Sequence, residues 1–211
     1  MKKKILLTPY IQSNKNNEKF YTFSSSLIKY FNELNFKIYL YSKLETKLKD
    51  FNALILPGSG DLFKISRLQE DKKRESIERK LIKYFISKKK PILTICRGSL
   101  FICSMNNSKI IKISKHVKKN HNVYLKKKII NVNSYHNYQI KNKPKGFKIV
   151  GRTKDGCIEI LTNTSKNILS LMFHPERKNK SQKFINQQIK NFINGINNFS
   201  GWEKFENLPE N

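Results

Sequence analysis

Two short apolar runs, each stopped by a glycine-bearing turn, constrain this chain of 211 residues more than any other feature. ALIL (Ala53 to Leu56) ends at PGSG, and ILTI (Ile92 to Ile95) ends at CRG. Continuous apolar runs of that length, bounded by turn residues, read as strands buried on both faces. Burial on both faces requires helices above and below a parallel sheet. The pattern supplies them. Phe23, Leu27, Tyr30, Phe31 and Leu34 share one face of a helix over 22–34. Ile77, Leu81, Ile82 and Phe85 mark a second over 71–89, with the charges opposite. A third helix opens at Arg97 and runs to Met105, and a fourth spans 181–196. Further strands are expected at 3–7 and 36–41, with a polar loop between the first strand and the first helix. β-leaning runs at 109–113, 122–125, 128–132, 147–151, 156–161 and 168–173 suggest an antiparallel extension. The expectation is one α/β domain over 1–200, a mostly parallel central sheet flanked by helices, followed by a polar tail over 201–211.

Charge invites a different reading. The net charge is +28, the setting in which nucleic-acid binding is first considered. Lysines, however, outnumber arginines 37 to 6, and they are spread along the chain with Asn and Ile, as an A/T-rich codon bias would spread them. Bases are read by arginine forks and stacked aromatics, and no such motif is present. No nucleic-acid partner is expected, although a positive field helps to draw in a small anionic substrate. No apolar run approaches the ~20 residues of a membrane helix, and the N-terminal apolar stretch is cut short by Thr8 and Pro9. Three unevenly spaced cysteines argue for a reducing compartment rather than a disulfide framework, so the cytoplasm is expected.

In sheets of this kind chemistry gathers beyond the carboxyl ends of strands. Three loops there carry special residues: Pro57 to Asp61, Cys96 to Gly98, and His174 to Glu176. A cysteine at a sharp strand-to-helix turn is pushed out of the packing, and the helix N-terminus favours its thiolate. Such a nucleophile needs a base, and the base needs a carboxylate to hold its tautomer. His174 and Glu176, two positions apart, supply both. Backbone amides at Ser59 and Arg97 are candidates for the oxyanion hole.

The stretches ALILPGSGDL, PILTICRGS, VNSYHNYQI, DGCIEI and LMFHPER, in that order, resemble the class I glutamine amidotransferases, and their γ-glutamyl hydrolase branch most of all. The resemblance covers about residues 50 to 177. It implies a flavodoxin-like fold and hydrolysis of a γ-glutamyl amide through a glutamyl thioester. Cys96 is then the nucleophile, His174 the base and Glu176 its orienting partner. Gly58, with Asn133, Ser134, Tyr135 and His136, is implied to hold the glutamyl group. Within the branch, SYHNYQI followed by HPER is most similar to the hydrolases of γ-glutamyl-CDP-amidate, which serve phosphoramidate decoration of surface polysaccharide. The alternatives are a γ-glutamyl-γ-aminobutyrate hydrolase, a glutaminase subunit feeding ammonia to a synthase partner, and a non-catalytic relative used for binding or regulation. No cofactor is implied, and the oligomeric state stays open.

Three departures accompany the resemblance. Thr94 stands where the family elbow carries its first glycine, Leu100 where it often carries glutamine, and Ser59 where it carries a second consecutive glycine. A serine tolerates positive φ less well than glycine. The remaining reactive residues have plainer readings. Cys103 and Cys157 belong to the core. His116 and His121 have no cysteine or carboxylate at zinc spacing, so they are assigned to loops of the extension with no metal.

Overall fold

The computed structural model describes residues 2–42, 47–126, 128–196 and 202. In chain order the elements are β1 (Lys4–Leu7), β2 (Tyr10–Ser13), β3 (Lys19–Thr22), α1 (Ser25–Glu33), β4 (Lys37–Leu40), β5 (Ala53–Leu56), α2 (Phe63–Ser66), α3 (Gln69–Ser87), β6 (Ile92–Ile95) and α4 (Arg97–Ser104). They continue with β7 (Ile110–Lys112), β8 (Val117–Leu125), β9 (Lys128–Tyr135), β10 (Tyr138–Ile140), β11 (Lys148–Arg152), β12 (Ile158–Asn163), β13 (Ile168–Leu171) and α5 (Gln182–Asn194).

Nine strands form one sheet in the order β4-β1-β5-β6-β13-β12-β11-β8-β9. From β4 to β13 all neighbours are parallel, and from β13 to β9 all are antiparallel. The strand alternation divides the core in two. Ile5, Leu7, Ile55, Leu93, Ile95, Leu169 and Leu171 face α1 and α5, whereas Leu6, Leu54, Leu56, Ile92 and Ile168 face α3 and α4. The parallel half is therefore covered on both sides, as its uninterrupted apolar runs require.

Some expectations shift. The loop after β1 is in fact a hairpin, β2 paired antiparallel with β3, and β3 ends on Thr22, the residue at which the first helix was expected to begin. That helix starts instead at Ser25, capped by the Ser24 side chain accepting from the Leu27 N–H. The short strand β10 pairs with β7 in a separate ribbon, and nothing in its three residues marked it as a strand. α3 is not charged on its open face alone: Asp71, Arg74 and Glu78 are buried. Of the tail, only Trp202 lies within the described residues. It is buried against Phe184 of α5, ring centroids 5.5 Å apart, so the domain's packing reaches past residue 200.

Candidate active site

Strands β5, β6 and β13 run side by side and in the same direction, so the loops at their carboxyl ends meet. Cys96 directly follows β6 and has φ 48° and ψ −107°. That left-handed backbone is strained for a residue with a Cβ, of order 1–3 kcal/mol, and persists because the surroundings over-determine it. The Cys96 N–H donates to the Leu171 carbonyl at 2.7 Å, and its own carbonyl accepts the first turn of α4 from Ser99 and Leu100. Gly98 lets α4 approach β5, because a Cβ there would lie 2.4 Å from the Leu56 carbonyl oxygen. Thr94, the first departure from the glycine pattern, fits without crowding: its hydroxyl is fully buried between Ser99 Oγ at 3.0 Å and Ser170 Oγ at 2.8 Å. Leu100 packs into the core beside α3.

On one side the His174 ring stands next to Cys96, both closing on Gly58. On the other its Nδ1 meets Glu176 Oε1 at 2.7 Å. Burial disfavours the imidazolium, yet the Cys96 and Glu176 contacts outweigh it and raise the His174 pKa to about 9. Burial likewise opposes the Cys96 thiolate. The hydrogen bond and charge of His174, the charge of His136 and the Arg97 backbone N–H nevertheless carry its pKa below the ordinary thiol value. The two groups therefore favour a thiolate–imidazolium pair. The other thiols behave oppositely: burial pushes Cys157 up to about 12 and raises Cys103 as well.

Gly58 sits against this pair, since a Cβ there would be 2.6 Å from His174 Cε1 and 3.4 Å from Cys96 Cβ. The next residue, Ser59, has φ +75°. Its loop is held by a buried charge cluster that the sequence reading missed. Arg74 Nη1 donates to the Ser59 carbonyl at 2.7 Å, and Nη2 donates to the Pro57 carbonyl at 2.9 Å. Arg74 Nε donates to Glu78 Oε1 at 2.9 Å, while Arg97 Nη1 donates to Glu78 Oε2. Arg97 also reaches the Asp61 carbonyl at 3.2 Å. One buried carboxylate thus fixes two guanidinium groups that grip the loop by its carbonyls. Among the described residues no acceptor meets the Ser59 N–H. The signal was legible in principle: Arg74 and Glu78 are spaced i, i+4 on a helix, on the side that faces the loop.

The segment Asn133 to His136 divides. Asn133 and Ser134, grouped with the glutamyl-holding residues by resemblance, have buried side chains committed elsewhere. Asn133 bonds the main chain of His174 and donates Nδ2 to Asn179 Oδ1, and Ser134 Oγ donates to the His116 carbonyl at 2.5 Å. Tyr135 is 38% exposed, with its ring edge-on to His174 at 6.0 Å and beneath the Arg177 guanidinium at 4.1 Å. His136 is buried and turns Nε2 to Glu159 Oε1 at 3.2 Å. Strand pairing dictates this: alternate residues of β9 face opposite ways, so neighbours in sequence cannot all face one ligand.

His121 lies within β8, not in a loop, and His116 immediately precedes that strand. Among the described residues no helix is long and apolar enough to cross a membrane.

The family model for glutamine amidotransferase class-I matches residues 18–193. A γ-glutamyl-CDP-amidate hydrolase from Campylobacter jejuni is 35% identical over 127 residues, 60% of this chain and 63% of that protein. The glutamine-hydrolysing GMP synthase of Petrotoga mobilis is 32% identical over 130 residues, 57% of this chain but only 25% of the longer protein. In both cases the match spans less than two thirds of the relative's own length. The fold is shared with a GMP synthase subunit protein from Thermoplasma acidophilum, at TM-score 0.71 and 18% identity, over 97% of this chain and 99% of that one.

Proposed function

The chain belongs to the class I glutamine amidotransferases, and from that premise we propose that it hydrolyses a γ-glutamyl amide through a thioester on Cys96. The observation that carries this reading is the His174 ring, set beside Cys96 and bonded through Nδ1 to Glu176. The thiolate attacks the γ-carbonyl carbon, forming a C–S bond. The resulting oxyanion is met by the N–H of Ser59 and that of Arg97. As the C–N bond breaks, the His174 imidazolium gives its Nε2 proton to the departing nitrogen. The neutral ring then takes a proton from water, whose oxygen attacks the thioester, and glutamate leaves as the C–S bond breaks. Asn133 positions His174, and Tyr135 offers an exposed face beside it. Acid–base catalysis of this kind contributes on the order of a hundred- to ten-thousand-fold.

For the leaving group we infer a nucleoside diphosphoramidate, as in γ-glutamyl-CDP-amidate. Two observations favour it: the identity with the Campylobacter enzyme, and a cationic groove. Tyr10, whose ring abuts Gly60, sits on the hairpin that also carries Lys19 and Tyr21. These two line a groove of about 400 Å³ with Tyr41, Lys72, Lys73 and Lys80. Four ammonium groups and two rings suit a pyrophosphate and a base. Ammonia delivery to a synthase is the second reading, favoured by the match to the glutamine-hydrolysing GMP synthase.

Glutamate release from γ-glutamyl-CDP-amidate, γ-glutamyl-γ-aminobutyrate and glutamine, measured side by side, separates these readings. Turnover of the first substrate alone is expected, and Cys96→Ala should lower it at least about a thousandfold. Equal release by wild type and variant would refute the catalytic assignment.

A further inference from the structure

Three of the protein's four histidines, His116, His121 and His136, converge near the carboxyl end of β9. The ring centroids of His116 and His121 are 5.0 Å apart, those of His116 and His136 5.1 Å, and those of His121 and His136 6.4 Å. Into this cluster β12 projects Glu159, whose side chain is fully buried. Its Oε1 lies 3.2 Å from His136 Nε2 and 3.4 Å from His121 Nε2. The sequence showed no such group, because Glu159 is far from both imidazoles along the chain and reaches them only through the pairing of the antiparallel strands.

The polar accounting of this cluster does not close. Glu159 Oε2 and His116 Nδ1 are buried and lack a hydrogen-bond partner among the described residues, and the buried His121 Nε2 has only the 3.4 Å approach to Glu159 Oε1, which falls short of hydrogen-bond geometry. A buried polar atom without a partner costs about 1–3 kcal/mol, and native interiors hold few of them. Here three are gathered from three places in the chain, and one ligand atom from each of His116, His121 and Glu159 lies within 4.8 Å of the others. A cation satisfies all three at once. In a tetrahedral site with bonds of about 2.1 Å the ligand atoms stand about 3.4 Å apart, so modest side-chain rotations close the shell.

The surroundings suit such an ion. His116 Nε2 is 2.9 Å from Asp155 Oδ2. A ring that donates there presents Nδ1 as a lone pair, the carboxylate–histidine arrangement that orients metal ligands. His136 Nδ1 pairs with the Tyr138 carbonyl at 3.0 Å, so that ring braces Glu159 from the far side. The His121 side chain is 18% exposed and gives an entry path. Two imidazoles and one carboxylate select a zinc-class ion over magnesium or calcium, which prefer all-oxygen shells. A second set, His116, Asp155 and Cys157, shares His116 but has its Asp155 side chain 59% exposed.

We propose that His116, His121 and Glu159 bind one divalent transition-metal ion of the zinc class, with Asp155 orienting His116. The ion ties β8 to β12 behind the segment carrying Tyr135 and His136. It shares no ligand with the Cys96–His174–Glu176 group, though His136 adjoins both, and it does not depend on which amide is cleaved.

The test uses the full chain, stripped with chelator and then given Zn2+ alone or Co2+ alone. After dialysis, elemental analysis should find one ion per chain, retained in a Cys96→Ala background that removes the catalytic thiol as a rival ligand. Free Zn2+ at a hundredfold its Kd should raise the thermal midpoint by roughly 5–10 °C. His121→Ala at the half-open position, and separately Glu159→Gln, should abolish both retention and the midpoint rise, with far-UV circular dichroism confirming that His121→Ala folds. The Co2+ form should show tetrahedral d–d bands without a thiolate charge-transfer band. Three results overturn the proposal: no retained ion, undiminished retention in His121→Ala, or loss of the ion in Cys96→Ala. A thiolate band would also overturn it by assigning the ion to Cys157.

Discussion

Asn133 grips His174 by its main chain at both ends: Asn133 Oδ1 accepts from the His174 N–H at 3.0 Å, and Nδ2 donates to the His174 carbonyl at 2.7 Å. β9 thereby fixes the residue that must face Cys96, although the two are far apart in sequence. Asn133→Ala should lower kcat roughly ten- to a hundredfold through misplacement of the ring, with KM little changed. Asn133→Asp, which keeps the acceptor, should recover part of the loss. A rise in KM alone, measured by steady-state kinetics, would show instead that this side chain contacts substrate.

In the proposed mechanism the Cys96–His174 pair sets the pH profile. His174, with its pKa raised to about 9, keeps its acidic proton until the pH rises through that value, so the rate should fall on the alkaline side near pH 9. Cys96, with its pKa lowered, loses its thiolate only when the pH falls below the ordinary thiol range, and that sets the acid limb. Glu176→Gln removes a charge that holds the imidazolium, so the alkaline limb should move to lower pH while the thiolate ultraviolet absorbance weakens. An unmoved limb would separate Glu176 from His174's titration.

Gly58 is constrained by contact rather than by φ. In Gly58→Ala the new methyl would lie 2.6 Å from His174 Cε1, and the ring must give way. The expected result is a kcat loss of about a hundredfold with circular dichroism unchanged. Retained activity would mean that the ring shifts without catalytic consequence.

Arg74 couples the buried carboxylate of Glu78 to the loop that presents the Ser59 amide. Arg74→Lys keeps the charge beside Glu78 but loses the fork that holds the Pro57 and Ser59 carbonyls together. If the Ser59 N–H serves the oxyanion, kcat should drop by roughly a hundred- to a thousandfold. Truncation to alanine is expected to be worse for folding, by about 3–5 kcal/mol, because it leaves Glu78 short of a partner. A lysine variant with full activity would remove Ser59 from the mechanism.

Lys72 and Lys73 line the groove beside the hairpin. Changing both to glutamate should raise KM for γ-glutamyl-CDP-amidate about ten- to a hundredfold and make it less salt-dependent, with kcat held. Equal effects on an uncharged γ-glutamyl amide would sink the assignment of this groove to the diphosphate.

The readable parts of the sequence were those whose signals are local. β5 and β6 announce themselves as apolar runs, and each is stopped by a turn whose glycine has a physical reason, Gly58 beside His174 and Gly98 beside Leu56. The hairpin β2–β3 was hidden because its two short strands mix apolar and polar residues and, Ile11 apart, stay partly or fully exposed, so the alternation that marks a buried strand is weak. The charges of Asp71, Arg74 and Glu78 were placed toward solvent by a rule that holds for helices facing water. It fails here because the loop carbonyls above α3 give Arg74 buried acceptors, and Arg74 and Arg97 in turn give Glu78 buried donors.

What the sequence determined by itself was four of the five parallel strands, β1, β4, β5 and β6, and the order in which Cys96, His174 and Glu176 arrive. Both rest on short-range chemistry: side-chain periodicity, turn residues, and a histidine and a carboxylate two positions apart. The run at 168–173, read with the antiparallel extension, instead supplies β13 parallel to β6, because it pairs in register with that strand. What only the tertiary structure decided was which polar groups face one another across strands. Asn133 on His174, Arg97 on Glu78, and the three imidazoles around Glu159 are pairings between distant segments. Register and the twist of the sheet set them, and neither is written in the neighbourhood of any single residue.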